Sequence, residues 1–298
     1  MTALGNLPVG TRIKIPHSVY GNIVFQVADQ NHDGYPSNST TLITEKIILL
    51  RCFDAKEPSN PNSDRASSGN NRYSKSNIDK WLNSSASAGQ WYSARHEYDA
   101  PPTNANVYNG YNEYDQDAGF LNGFDEAFVD ALKSTTLTVA LNTVTDGGGS
   151  ETITRRMFLA SRTEVFGTAE NGIMEGSRLA IFAEDTSASR IAKVSAYAAA
   201  HSEYSVTENQ NWYWWLRTPY SSVSRFARGV YSGGTLNGDF AYYGDGGVRP
   251  LCNLDSGILV SDAPDAEGKF TFITPEAKER NSTSLLFDDF LLERSKES

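Results

Sequence analysis

Trp212-Tyr-Trp-Trp-Leu-Arg-Thr-Pro219 and Gly247-Val-Arg-Pro250 enclose the part of the chain that decides its fold. The first stretch places three of the five tryptophans within four positions, and segments rich in Tyr, Gly and Ser lie between the two. These segments alternate between strand and turn patterns. Tyr, Ser, Gly and Asn form adaptable binding surfaces, because aromatic rings supply contact area at low entropic cost. The region therefore predicts a display surface rather than a catalytic centre.

Trp214, Trp215, Arg217 and Arg249 of these two motifs are predicted to be structural. Alternation in a strand sends Trp212 and Trp214 to one side and Trp215 to the other. We expect at least two of the three rings in the core, because large aromatic side chains dominate core energetics. A ring left in solvent would stack on sugar or peptide. Both arginines are predicted to bond loop carbonyls or carboxylates through the planar guanidinium, with ligand binding as the alternative.

Residues 220–243 hold the predicted binding surface, because side chains on turns and strand ends reach solvent. Ordinary surface filling is the alternative. Asn237-Gly238 favours a two-residue hairpin, and Ser232-Gly-Gly234 and Asp245-Gly-Gly247 are further turn signals. The candidate ligand-binding residues are Tyr220, Arg225, Phe226, Arg228, Tyr231, Asn237, Asp239, Tyr242 and Tyr243.

The remainder of the chain indicates an α+β protein with short strands, a few short helices and long loops. Ser76 and Ser161 begin capping-box sequences ahead of short helices. Apolar spacing predicts further helices near residues 124–133 and 190–200. We expect the aromatic loop at residues 91–122 to be ordered and packed. Alternating or apolar runs predict strands at residues 12–15, 23–27, 41–53, 137–141 and 157–160.

Composition limits the class of partner. The net charge of -10 and the pI near 4.9 argue against nucleic acid and against anionic membrane surfaces. No apolar run approaches the ~20 residues of a membrane helix, so membrane insertion is not expected. The N-terminus lacks the basic and apolar regions of a signal peptide, so we expect synthesis in the host cytoplasm. Cys52 and Cys252 are predicted to be free core thiols.

Motifs for catalysis or metal binding are weak. Asp29-x-Asn31-x-Asp33-Gly34 matches the opening of a calcium loop, but Thr40 stands where the bidentate Glu belongs. A polar hairpin turn is the preferred interpretation, with calcium as the alternative and no other cofactor expected. No nucleophile elbow, zinc motif, phosphate loop or dinucleotide fingerprint is present. An enzyme that cleaves cell-wall glycans with two carboxylates is the least favoured hypothesis, and no catalytic residue is predicted.

The two motifs resemble those of a domain family of Gram-positive bacteria and their phages. That family carries W-W-L-R-[ST]-P, a variable stretch and then G-V-R-P, here at residues 214–219, 220–246 and 247–250. The resemblance extends over roughly residues 8–260. It implies a C-type-lectin-like fold with short twisted antiparallel strands, related to the formylglycine-generating enzyme and to hypervariable phage display proteins. Cys52 and Cys252 do not reproduce the close cysteine pair of the formylglycine-generating relatives, which argues against oxidase activity.

The resemblance also implies a non-enzymatic protein of a phage virion. We expect a tail or baseplate protein that attaches to a host cell-surface glycan or protein through residues 220–243. Several copies in one particle would raise avidity, so a homo-oligomer in contact with other virion proteins is expected. The alternative is a structural virion protein, either a capsid decoration or a baseplate connector, that has no host ligand.

The predicted domain organisation is one C-type-lectin-like domain and a tail. The domain covers residues 1–260 with an insert near residues 99–123, and residues 261–298 form a linker and a docking tail. The insert and the tail are the candidates for contacts with other virion proteins. An apolar cluster in the tail is predicted to be buried against a neighbouring chain, because such a cluster is unfavourable in water. Its members are Leu285, Leu286, Phe287, Phe290, Leu291 and Leu292.

Overall fold

The computed structural model describes residues 1–273, which form a mixed α+β protein made mostly of strands. Short helices are few, and one sheet curls into a half-barrel. The predicted α+β class is therefore confirmed. No helix in this range is both long enough and apolar enough to span a membrane. The apolar cluster at residues 285–292, with its predicted docking role, lies outside the described residues.

The strands are short and numerous. The strands predicted at residues 12–15, 23–27, 137–141 and 157–160 are confirmed, and the run at residues 41–53 is divided between two strands. The strands are β1 (Thr2–Ala3), β2 (Arg12–His17), β3 (Gly21–Gln30), β4 (Ser39–Thr44), β5 (Leu49–Leu50), β6 (Thr135–Ala140), β7 (Ser150–Arg155), β8 (Met157–Leu159), β9 (Ala192–Lys193), β10 (Asn211–Trp212), β11 (Trp214–Pro219), β12 (Phe226–Val230), β13 (Leu236–Phe240), β14 (Gly247–Val248), β15 (Pro250–Asp255), β16 (Leu259–Val260) and β17 (Lys269–Thr271).

Two larger sheets organise the molecule. One has the order β17-β2-β3-β4-β15-β8 and the other the order β13-β12-β11-β14-β5. The pairs β17·β2 and β11·β14 are parallel, and the other pairs in these sheets are antiparallel. Because β17 pairs with β2, the chain continues within the sheet past the predicted domain boundary at residue 260. Smaller ladders join β1 with β16, β9 with β10 and β6 with β7.

Side-chain caps begin each of the α-helices. Ser76 and Ser161 accept hydrogen bonds from the backbone N–H groups of Asp79 and Glu164, and the Glu164 side chain completes the capping box by accepting from Ser161 N. The predicted helix starts are therefore confirmed. Within residues 1–273 the α-helices are α1 (Ser63–Ser68), α2 (Asn77–Leu82), α3 (Glu126–Ala131), α4 (Arg162–Phe166), α5 (Ser187–Arg190) and α6 (Ala196–His201). Short 3-10 helices span Leu4–Asn6, Tyr73–Lys75, Tyr108–Gly110, Phe120–Gly123 and Ala180–Phe182.

The single helix predicted at residues 190–200 is wrong. Helix α5 ends at Arg190, strand β9 follows, and α6 begins only after Ser195. Val194 N donates to the Gln210 carbonyl at 2.9 Å, and Ser195 starts a new helix by accepting from Ala198 N at 3.1 Å. The helical spacing of the apolar residues is overridden, because tertiary pairing takes the backbone hydrogen bonds of this segment.

Strand β11 lies at the centre of the core. Each of its six residues is buried, so it contacts protein on both faces. Trp214 and Trp215 are fully buried, and their indole N–H groups donate to the carbonyls of Arg190 and Arg51 at 3.1 and 2.9 Å. Trp212 is half-buried. The prediction that at least two of the three rings are core residues is therefore confirmed.

Two further sequence predictions concern the interior. The loop at residues 91–122 is packed, since Trp91 stacks on Tyr114 with ring centroids 5.3 Å apart and both side chains are buried. Cys52 and Cys252 are free and buried, as predicted. Burial raises the pKa of both thiols above its ordinary value. Each thiol therefore stays protonated and unreactive at neutral pH.

The core contains an ion pair between Arg217 of β11 and Glu164 of α4. Arg217 Nη1 and Nη2 donate to the two Glu164 carboxylate oxygens at 2.7 and 2.6 Å, and to the carbonyls of Leu159 and Glu175 at 2.9 and 3.0 Å. The Tyr35 hydroxyl donates to the same carboxylate at 2.5 Å. Burial alone would lower the pKa of Arg217, but the Glu164 carboxylate raises it above its ordinary value. This pair fixes α4 to β11.

Arg217→Met is expected to lower the free energy of unfolding by about 3–5 kcal/mol, because it leaves the Glu164 carboxylate buried without its cation. Lys14→Met is the control, since it removes a half-exposed cation paired with Asp265 at 2.7 Å. Its cost should be about 1 kcal/mol or less. Urea unfolding measures both variants. Equal losses would show that the buried pair contributes no more than a surface pair.

Candidate recognition surface

The predicted binding residues lie on and around the β12–β13 hairpin at one edge of the smaller sheet. Tyr231 N donates to the Thr235 carbonyl at 2.9 Å and closes the turn, so the turn signal at residues 232–234 is confirmed. The hairpin predicted at Asn237-Gly238 is wrong, because both residues lie within β13. A Cβ atom at Gly238 would lie 2.8 Å from the Tyr220 ring. Glycine is required there for packing rather than for a turn.

The nine candidate residues do not share one face of this hairpin. Arg228 is opposite Gly238, and Asp239 is opposite Ala227. Paired residues of an antiparallel ladder point to the same face, and successive residues alternate. Arg228 and Asp239 therefore lie on opposite faces, and the predicted surface is divided in two.

The first face carries an ion pair under an aromatic ring. Arg228 donates to both carboxylate oxygens of Glu170 at 2.8 and 2.9 Å, and its guanidinium lies 3.7 Å from the Tyr220 ring centroid. Burial opposes ionisation of Glu170, but hydrogen bonds from Arg228, Ser221 and Arg162 hold its pKa below the ordinary value. Arg228 is thus already paired with Glu170 within the protein, and its guanidinium packs between that carboxylate and the Tyr220 ring.

The second face is rich in tyrosine and carboxylate. Tyr231 donates to Asp239 Oδ2 at 2.9 Å, and Tyr213 donates to Asp245 Oδ1 at 2.7 Å. Burial raises the pKa of Asp239 and of Asp245 above the ordinary value. Within residues 1–273 neither carboxylate has a salt-bridge partner. Burial likewise raises the pKa of Tyr243 to about 12. The second face therefore presents hydrogen-bond acceptors between aromatic rings.

By the same alternation Phe226 lies on the Arg228 face and Asn237 on the Asp239 face, and the other candidates flank the hairpin. Arg225 pairs with Asp64, and its guanidinium lies 5.6 Å from the Phe226 ring centroid. The Tyr242 carbonyl accepts from another loop, and its ring is half-buried. Asn237 is exposed, and its Oδ1 accepts from Gly238 N at 2.9 Å.

The insert at residues 99–123 packs directly on the second face. Tyr108 N donates to the Tyr242 carbonyl at 2.8 Å, and the Tyr108 and Tyr243 ring centroids lie 4.5 Å apart. Gly244 makes this approach possible, because a Cβ atom there would lie 1.8 Å from the Tyr111 carbonyl oxygen. The insert is therefore part of the same surface.

Together the hairpin and the residues after it, the insert, the loop after α6 and the segment at Trp212–Tyr213 form a continuous row of aromatic rings, called here the aromatic belt. Neighbouring ring centroids along it lie between 4.5 and 6.5 Å apart. Its members are half-buried, apart from the buried Tyr213. The belt consists of Tyr220, Phe226, Phe240, Tyr242, Tyr243, Tyr108, Tyr111, Tyr204, Trp212, Tyr213 and Tyr231.

Sequence reasoning missed the belt members that lie upstream of the Trp212 motif. Tyr108, Tyr111 and Tyr204 come from segments distant in sequence, and only the tertiary fold brings them to the hairpin. The single available signal was composition, since the insert is rich in tyrosine and asparagine.

The residues of the candidate calcium loop form local bonds. Asp29 Oδ2 lies 2.7 Å from His32 Nδ1 and accepts from Ala180 N at 3.0 Å. Asn31 Oδ1 accepts from Ser39 N at 3.2 Å. Among residues 1–273 no group of three or more His, Cys, Asp or Glu side chains is placed to hold a metal ion. Calcium binding by Asp29, Asn31 and Asp33 stays an untested alternative.

The geometry defines an α+β protein with an aromatic and partly acidic surface at one edge of a sheet. A family model described as a domain of unknown function, DUF6273, matches residues 38–256, and the chain belongs to this family. The matched range includes the Trp214 and Arg249 motifs and the insert. No curated protein and no solved structure matches the chain.

Gly244→Ala is expected to displace the insert, because the added methyl group collides with the Tyr111 carbonyl. The cost should be about 1–3 kcal/mol, as for overpacking elsewhere. Gly233→Ala is the control, because a Cβ atom there meets nothing within 4 Å. Urea unfolding and limited proteolysis at residues 99–123 measure both variants. If Gly244→Ala and Gly233→Ala have the same unfolding free energy and the same proteolysis rate, the close packing of the insert against Gly244 is wrong.

Proposed function

We propose that this protein is a non-enzymatic receptor-binding component of a phage tail or baseplate. It recognises a glycan or protein on the surface of a Gram-positive cell through the aromatic belt. The observation that supports this most is the continuity of the belt, to which four separate parts of the chain contribute half-buried rings. The virion setting comes from the resemblance of the two motifs to phage proteins.

The chemistry of the belt favours a ligand with hydroxyl groups. Aromatic faces pack on the apolar faces of sugar rings, while Asp239 and Asp245 accept hydrogen bonds from hydroxyl donors. The two cationic side chains at the other end, Arg225 and Arg228, are already paired with Asp64 and Glu170. A polyanionic ligand would therefore find no free cation there. A neutral glycan fits this surface best.

The fold proposed for this role is C-type-lectin-like. Short antiparallel strands late in the chain hold the ligand surface, and long ordered loops pack around them. Weak individual sites of this kind gain strength when several copies act together, because the second contact forms at high effective concentration. A homo-oligomer within the particle is therefore part of the proposal.

The test is binding of the purified full chain to a Gram-positive cell-envelope fraction, measured by co-sedimentation. Tyr108→Ala and Tyr243→Ala are each expected to weaken binding about tenfold or more, as for aromatic residues at the centre of interfaces. Tyr98→Ala is the control. Its ring contacts no other aromatic ring among the described residues. Thermal unfolding checks that each variant is folded.

Two outcomes would contradict the proposal. If the wild-type chain binds no envelope fraction, host attachment is wrong and a structural virion protein is favoured. If binding is equal in the belt variants and in Tyr98→Ala, the protein attaches through another surface.

A further inference from the structure

Arg249, the arginine of the Gly247-Val-Arg-Pro250 motif, is buried without a counter-ion among residues 1–273. Its Nε donates to the Thr44 carbonyl at 2.8 Å, and its guanidinium lies 5.0 Å from the Trp214 ring centroid. Among residues 1–273 it forms no salt bridge, and its Nη1 has no hydrogen-bond partner. The Thr44 hydroxyl beside it is also buried without a partner. Arg217 differs, because both of its Nη atoms donate to the Glu164 carboxylate.

Arg249 lines an open groove of about 560 Å³. The groove lies between the turn before β2, the end of β4 and the segment from the Ala180–Phe182 helix to β9. Lys46 and Lys193 also line it; Lys46 is paired with Glu208 at 3.3 Å, and Lys193 is exposed. Of its two acidic residues, Glu45 is neutralised by Arg12 at 2.7 Å, and Glu184 is exposed. The floor of the groove is therefore cationic.

A buried guanidinium with no counter-ion and with one nitrogen lacking an acceptor is unfavourable, because the N–H groups of that nitrogen have lost water without gaining a partner. Burial lowers the pKa of Arg249 to about 10, and Glu45 only partly opposes this. The side chain nevertheless stays charged at neutral pH. An oxyanion in the groove would supply the missing counter-charge.

We propose that this groove binds an oxyanion, the carboxylate or phosphate group of a small ligand. The planar guanidinium of Arg249 forms the base of the site, and the exposed Lys193 attracts the anion at its mouth. Carboxylate and phosphate share the same chemistry of recognition. This site is separate from the aromatic belt and does not depend on the proposed function.

The test is a calorimetric and thermal-unfolding titration of the full chain with inorganic phosphate and, separately, with acetate. Chloride at matched ionic strength controls for screening. Binding should raise the unfolding temperature beyond the effect of chloride. Arg249→Met should weaken binding about tenfold or more, because it removes a charge-assisted contact. Lys193→Met should weaken it about two- to fivefold, as for a solvent-exposed charge.

Lys14→Met, a matched substitution outside the groove, should leave anion affinity unchanged. Binding of phosphate alone identifies a phosphate site, and binding of acetate alone identifies a carboxylate site. If neither phosphate nor acetate gives a binding heat or a rise in unfolding temperature larger than that of chloride, the proposal is wrong. It is also wrong if Lys193→Met and Arg249→Met bind as the wild type does. Should Arg249→Met fail to fold, unchanged anion affinity in Lys193→Met overturns it.

Discussion

The buried ion pair between Arg217 and Glu164 is the constraint on which the rest of the structure depends. Removing two charges from water is costly, and only good geometry and further hydrogen bonds offset that cost. Here both carboxylate oxygens accept from the guanidinium, and Tyr35 and the backbone N–H of Ser161 are further donors. The arrangement is satisfied only when β11 lies against α4. It therefore selects one position for the strand that carries Trp214 and Trp215.

Once β11 is fixed, the strands that pair with it are also fixed in position. Strand β12 pairs with one edge of β11, and β14 pairs in parallel with the other. The hairpin at the sheet edge consequently projects its rings from a rigid base, and Gly244 lets the insert pack against them. Such a preorganised surface loses little entropy when a ligand binds. The carboxylates of Asp239 and Asp245 at one end of the belt are the reason that the proposed ligand is neutral.

The sequence predicts features that depend on local chemistry. The caps at Ser76 and Ser161 follow from residues within one turn, and the buried tryptophans follow from size. Features that depend on tertiary pairing are missed. The segment at residues 190–200 has helical spacing, yet it gives its backbone bonds to β10 and its flanking loop. Asn237-Gly238 carries a turn signal, but Gly238 is small to admit the Tyr220 ring. For the belt members that are distant in sequence, the sequence offered only the tyrosine- and asparagine-rich composition of the insert as a signal.

Hydroxyl-radical footprinting of the full chain on Gram-positive cell walls tests the central claim most directly. Mass spectrometry would report the oxidation of each tyrosine with and without the walls. The account predicts protection of Tyr108, Tyr242 and Tyr243, with Tyr98 oxidised equally in both conditions. Protection elsewhere, with these three rings still oxidised on the wall-bound protein, would show that the belt is not the recognition surface.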